Sequence, residues 1–391
     1  MDERKEALRQ RVMEITARGE YTEDEELWRI IDQVLLTEGR NLRLNLKDRL
    51  YYREALFNSF RRLDILQELL DDDSVTEIMV NGRDAVYIER EGRLIKWDKT
   101  FPDNGLLEDI VQQIVGRVNR AVNMASPIVD ARLEDGSRVS VVLPPVALNG
   151  PILTIRKFPE ALPMARLVEL GTITAQAAEF LGELADAGYN MFISGGTSSG
   201  KSTFLNALVE FIPADQRLVV IEDSAELNIA SDRNVVRLEA RGMNGEGGRE
   251  VTISDLVRTS LRLRPDRIII GEVRGKEVLD LINAMNTGHD GSLSTGHGNS
   301  PADMLARLEM MALMGGTIPL EAVRAQLGSA LDIIIHLGRQ PGKGRRVLSI
   351  EEVVGYEAGK ILLEPLYACS QEGSLKKVGT LKKRKKLERQ G

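Results

Sequence analysis

Cysteine is almost missing. Cys369 is the only one among 391 residues, so no disulfide forms within the chain and a reducing compartment is compatible with the sequence. Aromatic residues make up only 4% of the chain and there are 3 histidines, which leaves little material for base-stacking surfaces or a histidine-built metal centre. No apolar run reaches the roughly 18 residues of a membrane span, and the opening Met1-Asp2-Glu3-Arg4-Lys5-Glu6 lacks the apolar core of a signal peptide. Any membrane role is therefore expected to be peripheral. Positive charge is also in deficit: the formal net charge of −7 argues against a global field for nucleic acid. The exception is Leu381-Lys382-Lys383-Arg384-Lys385-Lys386-Leu387-Glu388-Arg389, where like charges oppose folding. It is expected to be a solvated end, with contact to anionic lipid or nucleic acid as the alternative.

What the chain does have is Gly195-Gly196-Thr197-Ser198-Ser199-Gly200-Lys201-Ser202-Thr203, which fits the phosphate-loop pattern G-x-x-x-x-G-K-[ST]. Glycines let backbone N–H groups turn toward a polyanion, the lysine reaches the terminal phosphates, and the Ser202 hydroxyl can ligate Mg²⁺. The short apolar run Asn190-Met191-Phe192-Ile193 precedes it, and Phe204-Leu205-Asn206-Ala207-Leu208-Val209 continues it as a helix. Strand, loop and helix thus come in the order that aims a positive helix end at phosphate.

The length predicts two or three domains. Residues 1–62 read as a charged helical extension, with Leu27, Ile31, Val34 and Leu35 on one helix face. Residues 63–158 read as a smaller α+β domain: short strands at Glu77–Val80, Val86–Arg90, Leu94–Trp97, Arg138–Leu143 and Ile152–Arg156, with a helix through Leu107, Ile110, Val111, Ile114 and Val118. Pro159 and Pro163 mark a linker over 159–166. Residues 167–370 alternate apolar strands (Arg217–Ile221, Arg267–Ile270, Ser292–Thr295, Asp332–Ile335) with helical stretches and close on a hairpin, Arg346–Glu351 with Lys360–Leu366. Uniformly apolar runs of this kind predict a buried parallel sheet, giving an α/β, RecA-like C-terminal domain. Residues 371–391 form the basic flexible tail of this scheme.

Hydrolysis of a nucleoside triphosphate needs Mg²⁺ and an oriented water beside the phosphate loop, and carboxylates at neighbouring strand ends supply both. Val219-Val220-Ile221 runs into Glu222-Asp223-Ser224-Ala225-Glu226, and Ile268-Ile269-Ile270 runs into Gly271-Glu272-Val273-Arg274. Such carboxylates also cap helices or pair with arginine. The stretch from Asn286 to Ser300 carries His289 and His297 among glycines, a setting for neutral histidines that bond a γ-phosphate. His336, ending an Ile-Ile-Ile run, reads as structural.

Together, Gly195 to Thr203, Ile221-Glu222-Asp223-Ser224-Ala225-Glu226-Leu227, Leu263-Arg264-Pro265-Asp266-Arg267 through Gly275, and Thr287-Gly288-His289 through His297 resemble the Walker A, Asp-box, Walker B and His-box motifs of the type II/IV secretion ATPases, in phrasing closest to their CpaF-like branch. The resemblance covers about Leu63 to Leu366. It implies a cytoplasmic homo-hexamer of two-domain subunits that binds ATP and Mg²⁺ between its domains. Such a ring works at the inner face of the cell membrane on a platform protein of a pilus or secretion machine, with no specific nucleic acid as partner.

Carried over by position, Lys201 contacts the β/γ-phosphates and Ser202 or Thr203 assists Mg²⁺ and phosphate. Glu226 and Glu272 position water or Mg²⁺, which of them is the base being left open, and His289 and His297 form the sensing box. Arg138 and Arg156 are the arginines expected to reach the γ-phosphate. Arg264 and Arg274 either brace the Walker B carboxylate or cross a subunit interface. The family places a bulky aliphatic residue before the second histidine and alanine after it; Gly296 and Gly298 stand there in this chain and predict a more mobile loop. A RecA-like DNA translocase or helicase shares the core and is the alternative, while a GTP switch lacks its N-K-x-D signature.

Overall fold

A computed structural model describes residues 3–16, 23–90, 93–118, 120–133, 135–158, 161–230, 232–241, 250–340, 342–370 and 373–389. The chain divides into two compact units, Met1–Pro159 and Glu160–Gly391.

Unit 1 opens with three helices, α1 (Glu3–Thr16), α2 (Asp24–Asn41) and α3 (Leu46–Arg61). The apolar spacing of α2 explains their packing. Leu27, Ile31, Val34 and Leu35 lie on one face and are buried against Leu8 and Val12 of α1 and Leu56 and Phe57 of α3. At the start of α3, Asn45 and Asp48 form a reciprocal capping box that satisfies two otherwise orphaned N–H groups. After the short α4 (Gln67–Leu70) come β1 (Val75–Asn81), β2 (Val86–Arg90), β3 (Arg93–Lys96), α5 (Asn104–Arg117), β4 (Ile128–Arg132), β5 (Arg138–Val142) and β6 (Ile152–Arg156). These strands form one antiparallel sheet in the order β3-β2-β1-β6-β5-β4. Period-two alternation turns Ile78, Val80, Ile88, Val139, Val141, Leu153 and Ile155 onto α5, whose Leu107, Ile110, Val111 and Ile114 complete the core.

Unit 2 runs α6 (Met164–Glu169), α7 (Ala175–Asp186), β7 (Met191–Gly195), α8 (Lys201–Val209), β8 (Leu218–Glu222), β9 (Val235–Glu239), α9 (Ile253–Ser260), β10 (Arg267–Ile270), α10 (Glu277–Asn286), β11 (Leu293–His297), α11 (Pro301–Met314), α12 (Leu320–Ala330), β12 (Ile333–Gln340), β13 (Gly344–Glu357), β14 (Lys360–Cys369) and β15 (Leu375–Lys377). Helix α6 begins inside the stretch expected as linker, of which residues 159 and 160 lie outside the described residues. The sheet order is β15-β14-β13-β12-β7-β11-β10-β8-β9, parallel from β12 to β9 and antiparallel from β12 to β15.

Helices cover both faces, which is why the central runs of β7, β8, β10 and β12 are apolar at successive positions. Ile193, Val220, Ile269 and Ile335 enter one core with α7 and α8; their sequence neighbours Phe192, Val219, Ile268, Ile270 and Ile334 enter the other with α9 to α12. Each such side chain contributes roughly 1.5–3 kcal/mol by leaving water.

The basic end departs from expectation. Over 373–389 it is not a flexible tail: β15 pairs with β14, and Leu381 and Leu387 pack on the first core. The reason is electrostatic. Fully buried Glu352 accepts the backbone N–H of Lys382 (2.8 Å) and Lys383 (2.7 Å), and Lys386 Nζ lies 2.8 Å from Asp332 Oδ2 and 2.6 Å from Asp290 Oδ1. Fixed carboxylates cancel the repulsion that the sequence alone displays. Residues 371, 372, 390 and 391 of the expected tail lie outside the described residues.

Arg267 opens β10 as a buried cation that donates to the carbonyls of Asp186 (3.0 Å) and Asp290 (3.2 Å) at the end of the sheet where the parallel strands begin. Arg267→Leu removes both hydrogen bonds and should lower the unfolding free energy by ~3 kcal/mol, read from urea denaturation.

Candidate active site at the ends of the parallel strands

β7 ends at Gly195, and the chain turns through Gly196 to Gly200 before α8 begins at Lys201. Gly200 takes a left-handed conformation with φ 95° that suits glycine. At Gly195 the constraint is space: a Cβ would lie 2.5 Å from Ser199 Oγ and 2.6 Å from the Leu337 carbonyl oxygen. Thr197 and Ser198 are exposed, whereas Ser199 is buried and its hydroxyl has no hydrogen-bond partner.

Lys201 folds back over the turn and donates to the carbonyls of Gly196 (3.0 Å) and Gly195 (3.3 Å), with Nζ 3.4 Å from His297 Nδ1. Burial lowers its pKa, and Glu272 opposes that shift. His297 ends β11, where it pairs in register with Gly195 of β7. Its pKa is lowered by burial first and then by the Lys201 ammonium, with Glu272 opposing. The ring is thus neutral near neutral pH, and Nδ1 can accept from Lys201 if Nε2 carries the proton toward Glu272 Oε1, 2.8 Å away. Glu272 Oε1 is buried and faces the His297 ring. The other oxygen, Oε2, accepts from Arg274 Nη2 at 3.0 Å. Arg274 also lies 3.8 Å from Asp223, tying the ends of β8 and β10 together.

Glu226 occupies a separate place. Its Oε2 accepts the Ser202 hydroxyl at 3.0 Å. The loop that carries it is anchored by Glu222, a buried side chain in the stretch already marked as acidic but given no role of its own. Glu222 Oε1 accepts the backbone N–H of Glu226 (2.7 Å) and Leu227 (3.0 Å).

The phosphate loop Gly195 to Thr203, Glu226, Glu272 and His297 therefore gather at one end of the parallel sheet. His289 does not join them. The stretch from Asn286 to Ser300 is not one loop, because β11 runs through it and separates the two histidines by the length of a strand, roughly 13 Å or more. His289 precedes the strand, with Nδ1 3.2 Å from the Ala284 carbonyl oxygen. The loop mobility expected from Gly296 and Gly298 is also corrected. Gly296 is a buried strand residue opposite Ser194, where a Cβ would press on the Phe192 ring at 2.9 Å, so the glycine makes room for core packing. His336 sits beside Ser194 Oγ at 3.3 Å, buried and lowered in pKa by that burial. Arg138 and Arg156 belong to unit 1, where they are direct cross-strand partners on β5 and β6.

The donor set fits a hard cation. Among the described residues no cluster of three or more His, Cys, Asp or Glu could form an all-protein cage. Mg²⁺ needs only one or two protein oxygens when phosphates and water complete its octahedron, and the Ser202–Glu226 pair and the Glu272 carboxylate provide such oxygens.

The pKa shifts give a testable pH dependence. Both His297 and His336 are depressed in the native state, so the unfolded chain takes up protons at a higher pH. Stability should be untouched by them above ~6.5 and decline as pH falls below that value. Urea midpoints at pH 7.5 and 5.5 should show a smaller drop for a His297→Asn/His336→Asn variant than for the wild type.

Residues 61–365 match the family model for type II/IV secretion system proteins. A putative conjugal transfer protein of Mycobacterium tuberculosis is 36% identical over 293 residues, 73% of this chain and 83% of its own length. The type IV secretion system protein VirB11 of Brucella suis is 31% identical over 324 residues, 74% of this chain and 88% of its own. In fold, the pilus retraction motor PilT with bound ADP superposes with a TM-score of 0.56 at 19% identity, over 76% of this chain and 83% of that one. The chain belongs to the type II/IV secretion ATPase family.

Proposed function

We propose that the protein is an Mg²⁺-dependent ATPase motor of a secretion or pilus machine. One observation carries this reading: a phosphate loop, its lysine and two carboxylates in different surroundings meet at the ends of adjacent parallel strands. Mg²⁺, when bound with the nucleotide, neutralises charge on the β- and γ-phosphates.

In this reading Lys201 would exchange its bonds to the Gly195 and Gly196 carbonyls for phosphate oxygens. Ser202 would hold the metal with Glu226 ordering its shell, and Glu272 would orient the attacking water through the oxygen that faces His297. Neutral His297, lying between Lys201 and Glu272, reports whether a γ-phosphate is present. Arg138 and Arg156 contribute from unit 1 by reaching the γ-phosphate, and six copies form the working ring. The ring acts from the cytoplasm at the inner face of the membrane, on a platform protein. Among the described residues no helix is long and apolar enough to cross a membrane. The relatives' names speak of conjugal transfer and type IV secretion; the CpaF-like placement rests on motif phrasing alone.

Steady-state hydrolysis provides the test. Lys201→Ala should abolish turnover, and Glu226→Gln and Glu272→Gln should each lower kcat by roughly 100-fold or more with smaller effects on KM. Turnover indifferent to Lys201→Ala would overturn the reading.

A further inference from the structure

The segment between β8 and β9 is the least regular part of the site, yet it carries Glu226. Ala225, Leu227 and Ile229 are buried, so its backbone enters the interior without a helix or a ladder to satisfy it. Side chains do that work. Glu222 accepts the N–H of residues 226 and 227; Asn206 Oδ1 accepts the Asn228 N–H at 2.9 Å; Arg237 donates to the Leu227 carbonyl at 2.7 Å and to the Ile229 carbonyl at 2.8 Å. Two of these groups have a special position. Asn206 follows Ser202 by four residues on α8, so both project from one helix face onto the same loop. Glu222 ends β8 and packs beside Gly271, where a Cβ would lie 3.0 Å from its Cγ, next to the turn that carries Glu272.

We propose that Glu222 and Asn206 are positioning residues for nucleotide hydrolysis: together they hold the Glu226 carboxylate on Ser202 Oγ without touching nucleotide themselves. The proposal rests on the ATPase reading above for its kinetic consequence, but its geometric content stands apart. Of the five backbone groups just named, the three N–H donors are those of residues 226, 227 and 228, at Glu226 and directly after it. Losing their acceptors lets the carboxylate swing while Lys201 and the phosphate loop keep their own contacts. A purely structural role would instead weaken nucleotide binding, turnover and folding together.

The test uses the full-length protein and the substitutions Glu222→Leu, Asn206→Leu and Glu222→Gln. Both leucine variants should lower kcat by roughly 10- to 100-fold, while the Kd of a fluorescent ATP analogue, measured without Mg²⁺, stays within about threefold of wild type. Glu222→Gln still offers an oxygen to both N–H groups and should recover kcat to within about threefold. Hydrogen–deuterium exchange should show slow amides at 226–228 in the wild type and in Glu222→Gln, and fast ones at 226 and 227 in Glu222→Leu. Unchanged kcat in the leucine variants, or a joint fall of kcat, affinity and unfolding midpoint, overturns the proposal. So do fast amides at these positions in the wild type, a result that decides the geometry even if the chain hydrolyses no ATP. Failure of the ATPase reading has its own mark, turnover unaffected by Lys201→Ala.

Discussion

The site depends on one close approach. At Gly195 the Ser199 hydroxyl and the Leu337 carbonyl together fill the space a side chain would take. That contact lets β7, paired on both sides by β11 and β12, run directly into the phosphate loop without leaving the sheet. Everything else is placed relative to this strand end: α8 starts immediately after the turn, His297 arrives opposite Gly195 because β11 is in register with β7, and β10 and β8 follow outward with their carboxylates. The geometry of the candidate site is a consequence of strand register.

Electrostatics then gives the two acidic strand ends different characters. Glu272 is pinned through one oxygen by Arg274, while its other oxygen faces a histidine kept neutral by burial and by the adjacent lysine. Glu226 instead answers a hydroxyl from α8. Two carboxylates with separate partners can divide the work of metal and water, as sites with paired acids require their environments to differ. Burial raises the pKa of Glu222, and its two backbone N–H partners oppose that shift.

Much of this was legible in the sequence. The Ile-rich strands, the phosphate loop and the acidic strand ends announce themselves because a parallel sheet covered on both faces needs apolar residues throughout. What escaped notice has a physical pattern. Strands β4 and β9 are sheet edges with mixed burial, so neither alternation nor a continuous apolar run marks them. The basic end looks disordered until Glu352, Asp332 and Asp290, distant in sequence, are brought against it. His289 and His297 lie close in sequence, yet a strand five residues long puts them at its opposite ends. Glu222 stands in the acidic motif without a role that its sequence reveals, and Asn206 stands in none, because their partners are backbone N–H groups, which no residue type encodes.

The division of the unit 2 strands between two cores has a mechanical side. In the apolar runs of β7, β8, β10 and β12 successive residues belong to different cores. A slip of one position would turn both cores inside out at once. The sheet is therefore a plate that resists sliding, and it links the phosphate loop rigidly to the strand starts where Arg267 and Lys386 are anchored.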